Sequence, residues 1–189
     1  MRAKSLALTL VLVLVLVLVL GAGLAACGDD DESASESAGT PAATPTETAS
    51  AAGIEALVQG TPKKTDAKPV VPAPEGDPPA ELVVRDIVKG KGPKAKPGDR
   101  LSMQYVGTSW STGQQFDASW DRGAQPLAFQ LGAGMVIPGW DSGLVGMQKG
   151  GRRLLIIPPD MAYGAQGTPD GTIAPNETLV FVVDLVGIG

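Results

Sequence analysis

The stretch IPGWDSGLVGMQKGGRRLLIIP, Ile137 to Pro158, decides how this chain of 189 residues folds. Its first part has room for only a short helix, about Gly139 to Val145, because glycines at 146, 150 and 151 close it. The run RRLLIIP that follows reads as a strand. Downstream, ETLVFVVDLVGIG from Glu177 is apolar on both faces, which marks a strand in the middle of a sheet. Upstream, ELVVRDIVKG from Glu81 ends in a Gly-Lys-Gly-Pro turn, and KPGDRLSMQYVGTSW pairs a turn with a second strand. SWSTGQQFDASWDRG reads as a turn around Gly113, a return strand carrying Phe116 and a polar loop. PLAFQLG sets Leu127, Phe129 and Leu131 on one face of a short strand. Six short strands and one helix, with no βαβ rhythm and no internal repeat, predict an α+β domain over 81–189 in which a curved antiparallel β-sheet wraps one short α-helix.

Before residue 81 the texture is different. Met1 to Ala26 opens with Arg2 and Lys4, runs through an almost pure Val-Leu alternation and ends in small residues, the layout of an export signal. The uncharged stretch from Ser5 to Ala26 is also long enough to span a bilayer uncleaved. The only cysteine, Cys27, directly follows Leu24-Ala25-Ala26, and LAAC in that place resembles the lipobox of bacterial lipoproteins, whose cysteine is acylated. On either reading the rest of the chain lies outside the cytoplasmic membrane, on the extracytoplasmic face. Residues 27–80 then read as the lipidated cysteine and a disordered acidic, Pro-rich tether, with no aromatic residue before Tyr105 and too little apolar surface to offset its ordering entropy. Within it GIEALVQG, Gly53 to Gly60, has the pattern of one transient helical turn.

Charge follows the same division. The chain is −5 overall, but the region from 81 onward holds ten acidic and ten basic residues, so the acidic excess belongs to the tether and nothing argues for nucleic-acid binding. The chain has no histidine, which removes Ser-His-Asp and Cys-His nucleophiles and histidine metal sites. No metal and no cofactor is expected. The carboxylates Asp117, Asp121, Asp141, Asp160, Asp170 and Glu177 fall in or near loops without the spacing of a glycosidase pair. What remains is a set of apolar and aromatic residues at loop edges, Tyr105, Phe116, Phe129, Val136, Ile137, Trp140, Tyr163, Ile173 and Phe181, the material of an apolar pocket with a few polar handles.

From about Leu82 to the C-terminus the elements FD, VIPGW, G…GG.R, PD.AYG and I.PN.TLVF occur in order, and together they resemble the FKBP family of peptidyl-prolyl cis/trans isomerases. The resemblance implies the fold already read from the pattern, an isomerase activity on X-Pro bonds of exported proteins, proline-containing polypeptides as partners and macrolide inhibitors as ligands. It also implies a site. Trp140 would be the floor, with Tyr105, Phe116, Phe129, Val136, Ile137 and Phe181 as walls. Asp117 would stand at the edge, held by Arg122 or Tyr105. Tyr163 would offer its hydroxyl and Ile137 its backbone N–H to peptide carbonyls. Leu127, Met135, Ala162, Thr168, Thr172 and Ile173 complete the substrate contacts, with residues 166–175 arching over the opening as a lid. The chain departs from the family pattern at Leu127, Met135, Met161, Thr168 and Thr172, all on the rim. A non-catalytic binding or chaperone module on the same fold is the competing expectation, and a tethered monomer the expected state.

Overall fold

The computed structural model describes residues 51–189; the expected export segment, Cys27 and the first part of the expected tether lie outside the described residues. Six strands form one antiparallel sheet: β1 (Val83–Val88), β2 (Arg100–Ser109), β3 (Gln115–Ala118), β4 (Leu127–Gln130), β5 (Arg152–Ile157) and β6 (Leu179–Ile188). Their order is β1-β5-β6-β2-β3, with β4 also pairing β2. β4 takes the first part of β2 (Leu101 opposite Phe129) and β3 the later part (Val106 opposite Ala118). β6 is flanked by β5 and β2 and is buried without a break from Leu179 to Leu185, as its two-faced apolar run required.

Alternation along these strands builds two cores. On the concave face Met103, Tyr105, Leu155, Ile157, Leu179, Phe181, Val183 and Leu185 pack with Trp140 and Leu144. Those two come from α2 and its end; α2 spans Pro138–Gly143, after α1 (Ala51–Gly60) in chain order. Pro138 at the first helical position has φ fixed in advance, and extended Ile137 caps the turn. The helix begins one residue earlier and ends two earlier than its pattern suggested, with Trp140 in third place. It lies close to the sheet because position 139 has no side chain: a Cβ there would stand 2.4 Å from Cγ2 of Ile157.

The convex face carries Leu154, Ile156, Val180 and Val182 together with Trp110, and Ile54 and Leu57 of α1 cover it. This corrects the expected tether. Residues 51–80 are not a free coil, and the transient turn at 53–60 is a ten-residue helix. Thr61 ties off its end, with both N–H and hydroxyl donating to the carbonyl of Leu57 (3.1 and 2.7 Å). The Arg152 side chain, wholly buried, donates Nη1 to the Pro62 carbonyl and Nη2 to that of Ala67, and makes a two-pronged pair with Asp184 (2.6 and 2.7 Å). Farther along, the Trp110 indole donates to the Gly76 carbonyl, and Lys68 reaches Asp121 at 2.5 Å. By itself the segment lacks apolar surface; the sheet supplies the rest.

Candidate active site

Ten side chains enclose a cavity of about 220 Å³ at the N-terminal end of α2: Tyr105, Phe116, Asp117, Leu127, Met135, Val136, Ile137, Trp140, Tyr163 and Phe181. Each comes from a different edge of the same corner. β2 brings Tyr105, β3 Phe116 and Asp117, β4 Leu127, and the loop into α2 brings Met135 to Ile137. Tyr163 follows β5 and Phe181 sits near the start of β6. Trp140 lies at the bottom, almost fully buried, with the rings of Tyr105 and Phe181 edge-on to it at 5.3 Å each. Phe116 meets Phe181 edge-on at 5.5 Å. Such perpendicular pairs match aromatic quadrupoles and fix one another's rotamers. The Trp140 Nε1–H is buried and has no acceptor among the described residues.

The polar side of the cavity is one connected group. Tyr105 donates its hydroxyl to Oδ2 of Asp117 at 2.5 Å. Arg122, from a 3₁₀ turn over Ser119–Arg122, donates Nη1 to Oδ1 of the same carboxylate and Nη2 to the Tyr105 oxygen at 2.7 Å. The turn is itself anchored: the Ser119 hydroxyl donates to Oε1 of Gln104 and accepts from the Tyr105 N–H. Burial raises the Tyr105 hydroxyl above its ordinary range, and its bond to Asp117 adds to that rise. Burial also raises Tyr163, with a smaller push from the Asp117 charge. Both phenols therefore hold their protons through neutral pH and remain donors. Tyr163 has no hydrogen-bond partner for that proton among the described residues, and the N–H of Ile137 likewise has none.

Not every expected residue meets the cavity. Phe129 is buried behind the floor, 5.8 Å from the Trp140 ring, while Leu127, two residues earlier on the same face of β4, sits at the exposed rim. Arg122 acts on the cavity through Asp117 and Tyr105 and does not line it. Ala162 packs on the concave core, and Ile173 is buried in it. Thr168 and Thr172 are occupied within their own loop. Thr172 donates both its hydroxyl and its N–H to Asp170, and the Thr168 hydroxyl accepts from the Ile173 N–H. A hydrogen bond from the Thr168 side chain, and then those from Thr172, hold the exposed Asp170 carboxyl down to about 2. The expected lid is thus folded on itself, pinned by Ile173, and only Tyr163 of the 158–178 segment reaches the cavity.

Two contributors carry no role in the sequence reading. Asp141 accepts the N–H groups of Gly132 and Gly134, both at 2.9 Å, and so ties the loop bearing Met135 and Val136 to the first turn of α2. An acidic residue in a first helical turn after a Gly-x-Gly loop is the signal for it. Gly107 is the other. A Cβ there would come within 2.6 Å of Cζ of Phe116 and 2.7 Å of Cε1 of Phe181, so the absence of a side chain lets both rings close on the cavity. Gly107→Val should push the two walls apart and lower kcat/KM by on the order of ten- to a hundredfold, since displacements near 1 Å suffice for that. Unchanged kinetics on a proline peptide would remove Gly107 from the site.

The site is thus built to receive an apolar group bearing an amide, with fixed donors at its edge and no nucleophile. The description "FKBP-type peptidyl-prolyl cis-trans isomerase" belongs to the family whose sequence model matches residues 92–186. The chain is a member of that family, and its activity is prolyl isomerisation. An FK506-binding protein of Streptomyces anulatus is 58% identical over 121 residues, 64% of this chain and 97% of that one. The peptidyl-prolyl cis-trans isomerase FPR2 of Saccharomyces cerevisiae is 48% identical over 95 residues, covering 50% of this chain and 69% of its own. Among solved structures, that of AtFKBP13 matches with a TM-score of 0.53 at 39% identity, over 57% of this chain and 93% of that one. A peptidyl-prolyl cis-trans isomerase from Pseudomonas syringae pv. tomato gives 0.50 at 37% identity, over 57% and 75% respectively.

Proposed function

We propose that this isomerase acts on exported proteins as they fold, held at the extracytoplasmic face of the membrane by lipid on Cys27, and that its cavity works by favouring a twisted amide. Rotation about an X-Pro bond faces a barrier of roughly 18–20 kcal/mol because the planar amide is resonance-stabilised. At the twisted transition state resonance is lost and the carbonyl is less polar. A dry pocket floored by Trp140 and walled by Phe116, Val136, Ile137 and Phe181 favours that state over the planar one relative to water. The Ile137 N–H and the Tyr163 hydroxyl hold the flanking peptide by its carbonyls. Asp117, fixed by Tyr105 and Arg122, keeps the open side of the pocket rigid and presents its charge to the turning amide. Leu127 and Met135 are exposed apolar rim residues placed for the side chains on either side of the proline. Macrolides of the FK506 class would occupy the same cavity.

The observation that carries this reading is the pairing of an aromatic-floored cavity with two unpartnered donors at its edge. A non-catalytic holding module has no use for a free Tyr163 hydroxyl. A protease-coupled assay on Leu-Pro and Phe-Pro peptides with residues 51–189 tests it, and a thermal rate from protein that is folded by circular dichroism would refute it. Tyr163→Phe should slow the reaction by about fivefold or less, the scale of one hydrogen bond. Because both phenols are raised and no histidine is present, kcat/KM should be flat across neutral pH; an inflection between pH 6 and 8 would require another ionising group. For the anchor, Cys27→Ala should release the protein from membranes washed at high salt, where contacts through surface charge are screened. Retention of that variant through the wash would favour an uncleaved helix over 5–26.

A further inference from the structure

Equal numbers of acidic and basic residues conceal a strong separation of charge from 81 onward. Lys89, Lys91, Lys94 and Lys96 lie in the link from β1 to β2, and Lys149 lies in the turn after α2. The two turns are stitched together. Gly92 donates to the Lys149 carbonyl (3.1 Å), Lys149 to that of Pro93 (2.9 Å) and Ala95 to that of Met147 (2.8 Å). Lys63 and Lys64 stand beside them, because Thr65 shares one shallow cleft with Gly92, Lys149 and Val186. All seven ammonium groups belong to exposed residues, and only Lys64 has an ion-pair partner among the described residues, Asp66 at 3.6 Å. The other carboxylates near this end are already engaged: Asp86 by Arg153, Asp184 by Arg152, and Asp99 by the backbone of Lys96.

This end is remote from the cavity. α2 runs from the cavity at Ile137 toward the lysine turn at its other end. β6 spans the same distance, with Phe181 in the cavity wall and the Leu185 carbonyl accepting from Gly150. The acidic groups Asp117, Asp121, Asp141, Asp160, Asp170 and Glu177 sit at the cavity end.

We propose that the lysine end docks on anionic lipid headgroups, so that the domain stands on the membrane with its cavity facing away. Lysine ammoniums are compact, mobile point charges that suit a diffuse field of phosphates better than one bidentate anion. Seven on one face exceed the four that mark polybasic membrane segments. Val186, 41% exposed, adds an apolar contact in the cleft it shares with Thr65, Gly92 and Lys149. The interaction stands on the domain's own charges and does not require Cys27 to be acylated.

Vesicle flotation of residues 28–189 tests it at low salt, with vesicles of phosphatidylcholine alone and of phosphatidylcholine mixed with phosphatidylglycerol. Omitting the first 27 residues removes the proposed acylation site and none of the described elements, which all lie within 51–189. The protein should float with the mixed vesicles only and be released by high salt. The combined K89Q, K91Q, K94Q and K96Q variant should lose binding by about six-hundredfold, at roughly fivefold per lysine. Its activity on a soluble proline peptide should be unchanged, which also certifies its fold. Equal partition on both vesicles, or wild-type binding by the variant, would overturn the proposal. So would flotation seen only after Asp29, Asp30, Asp31 and Glu32 are replaced by their amides, since the chain's own acidic run would then be the occupant.

Discussion

Trp140→Ala should lower kcat/KM for a proline peptide by on the order of a hundredfold while the protein remains folded below its reduced melting point. The indole is the floor against which Tyr105 and Phe181 stand edge-on at 5.3 Å, and Phe129 backs it at 5.8 Å. Removing it leaves those three rings without their common neighbour. The walls then collapse inward or water enters, and either outcome ends the dry surface that favours the twisted amide. The same cavity should cost about 3–5 kcal/mol of stability. Trp140→Leu separates the two effects, since it restores much of the apolar volume but not the flat floor. Activity close to wild type in a folded Trp140→Ala protein would mean that the rate enhancement arises elsewhere.

Asp184→Ala should be the most damaging change outside the cavity, lowering stability by about 3–5 kcal/mol, the usual result of stripping one partner from a buried pair. Arg152 beneath it is fully buried, and two of its bonds would then be missing while the charge cannot reach water. The remaining acceptors are the carbonyls of Pro62 and Ala67, which the loss of Asp184 would leave to carry a full cation. A chemical-denaturation curve reads the difference directly. Replacing both residues together, Arg152→Met with Asp184→Leu, should recover most of the loss. If the single and double variants are equally weakened, the pair is not the source of the effect and the packing of α1 is.

Six strands, their antiparallel sense and the single core helix were legible because each carries its own signal: alternation on β4, a two-faced apolar run on β6, and glycine stops after α2. The cavity was legible from its aromatic residues and from ordered motifs. Three features were hidden, each because it depends on a surface that no local pattern describes. α1 has only Ile54, Leu57 and part of Val58 to bury and becomes stable once Leu154, Ile156, Val180 and Val182 present a face to it. Phe129 shares its stripe with Leu127, and only the curvature of the sheet sends one behind the floor and the other to the rim. The 166–175 loop looked like a lid because glycine and proline shape loops of any kind; its closure on itself follows from Thr168, Asp170 and Thr172 finding one another, and from Gly167 at φ 64, where a Cβ would strike the Ile173 carbonyl at 2.3 Å.

The packing of residues 51–80 onto the convex face shortens the leash. Counted from Cys27, the proposed anchor, only positions 28–50 separate the lipid from the folded body, 23 residues in place of the 53 of 28–80. Fully stretched, that is about 80 Å against about 185 Å. The volume the enzyme can sweep falls with the cube of that ratio, by about an order of magnitude, and its local concentration rises as much. Held by the proposed anchor, the isomerase would patrol a thin layer over the bilayer, meeting chains as they emerge and missing those that have already diffused away.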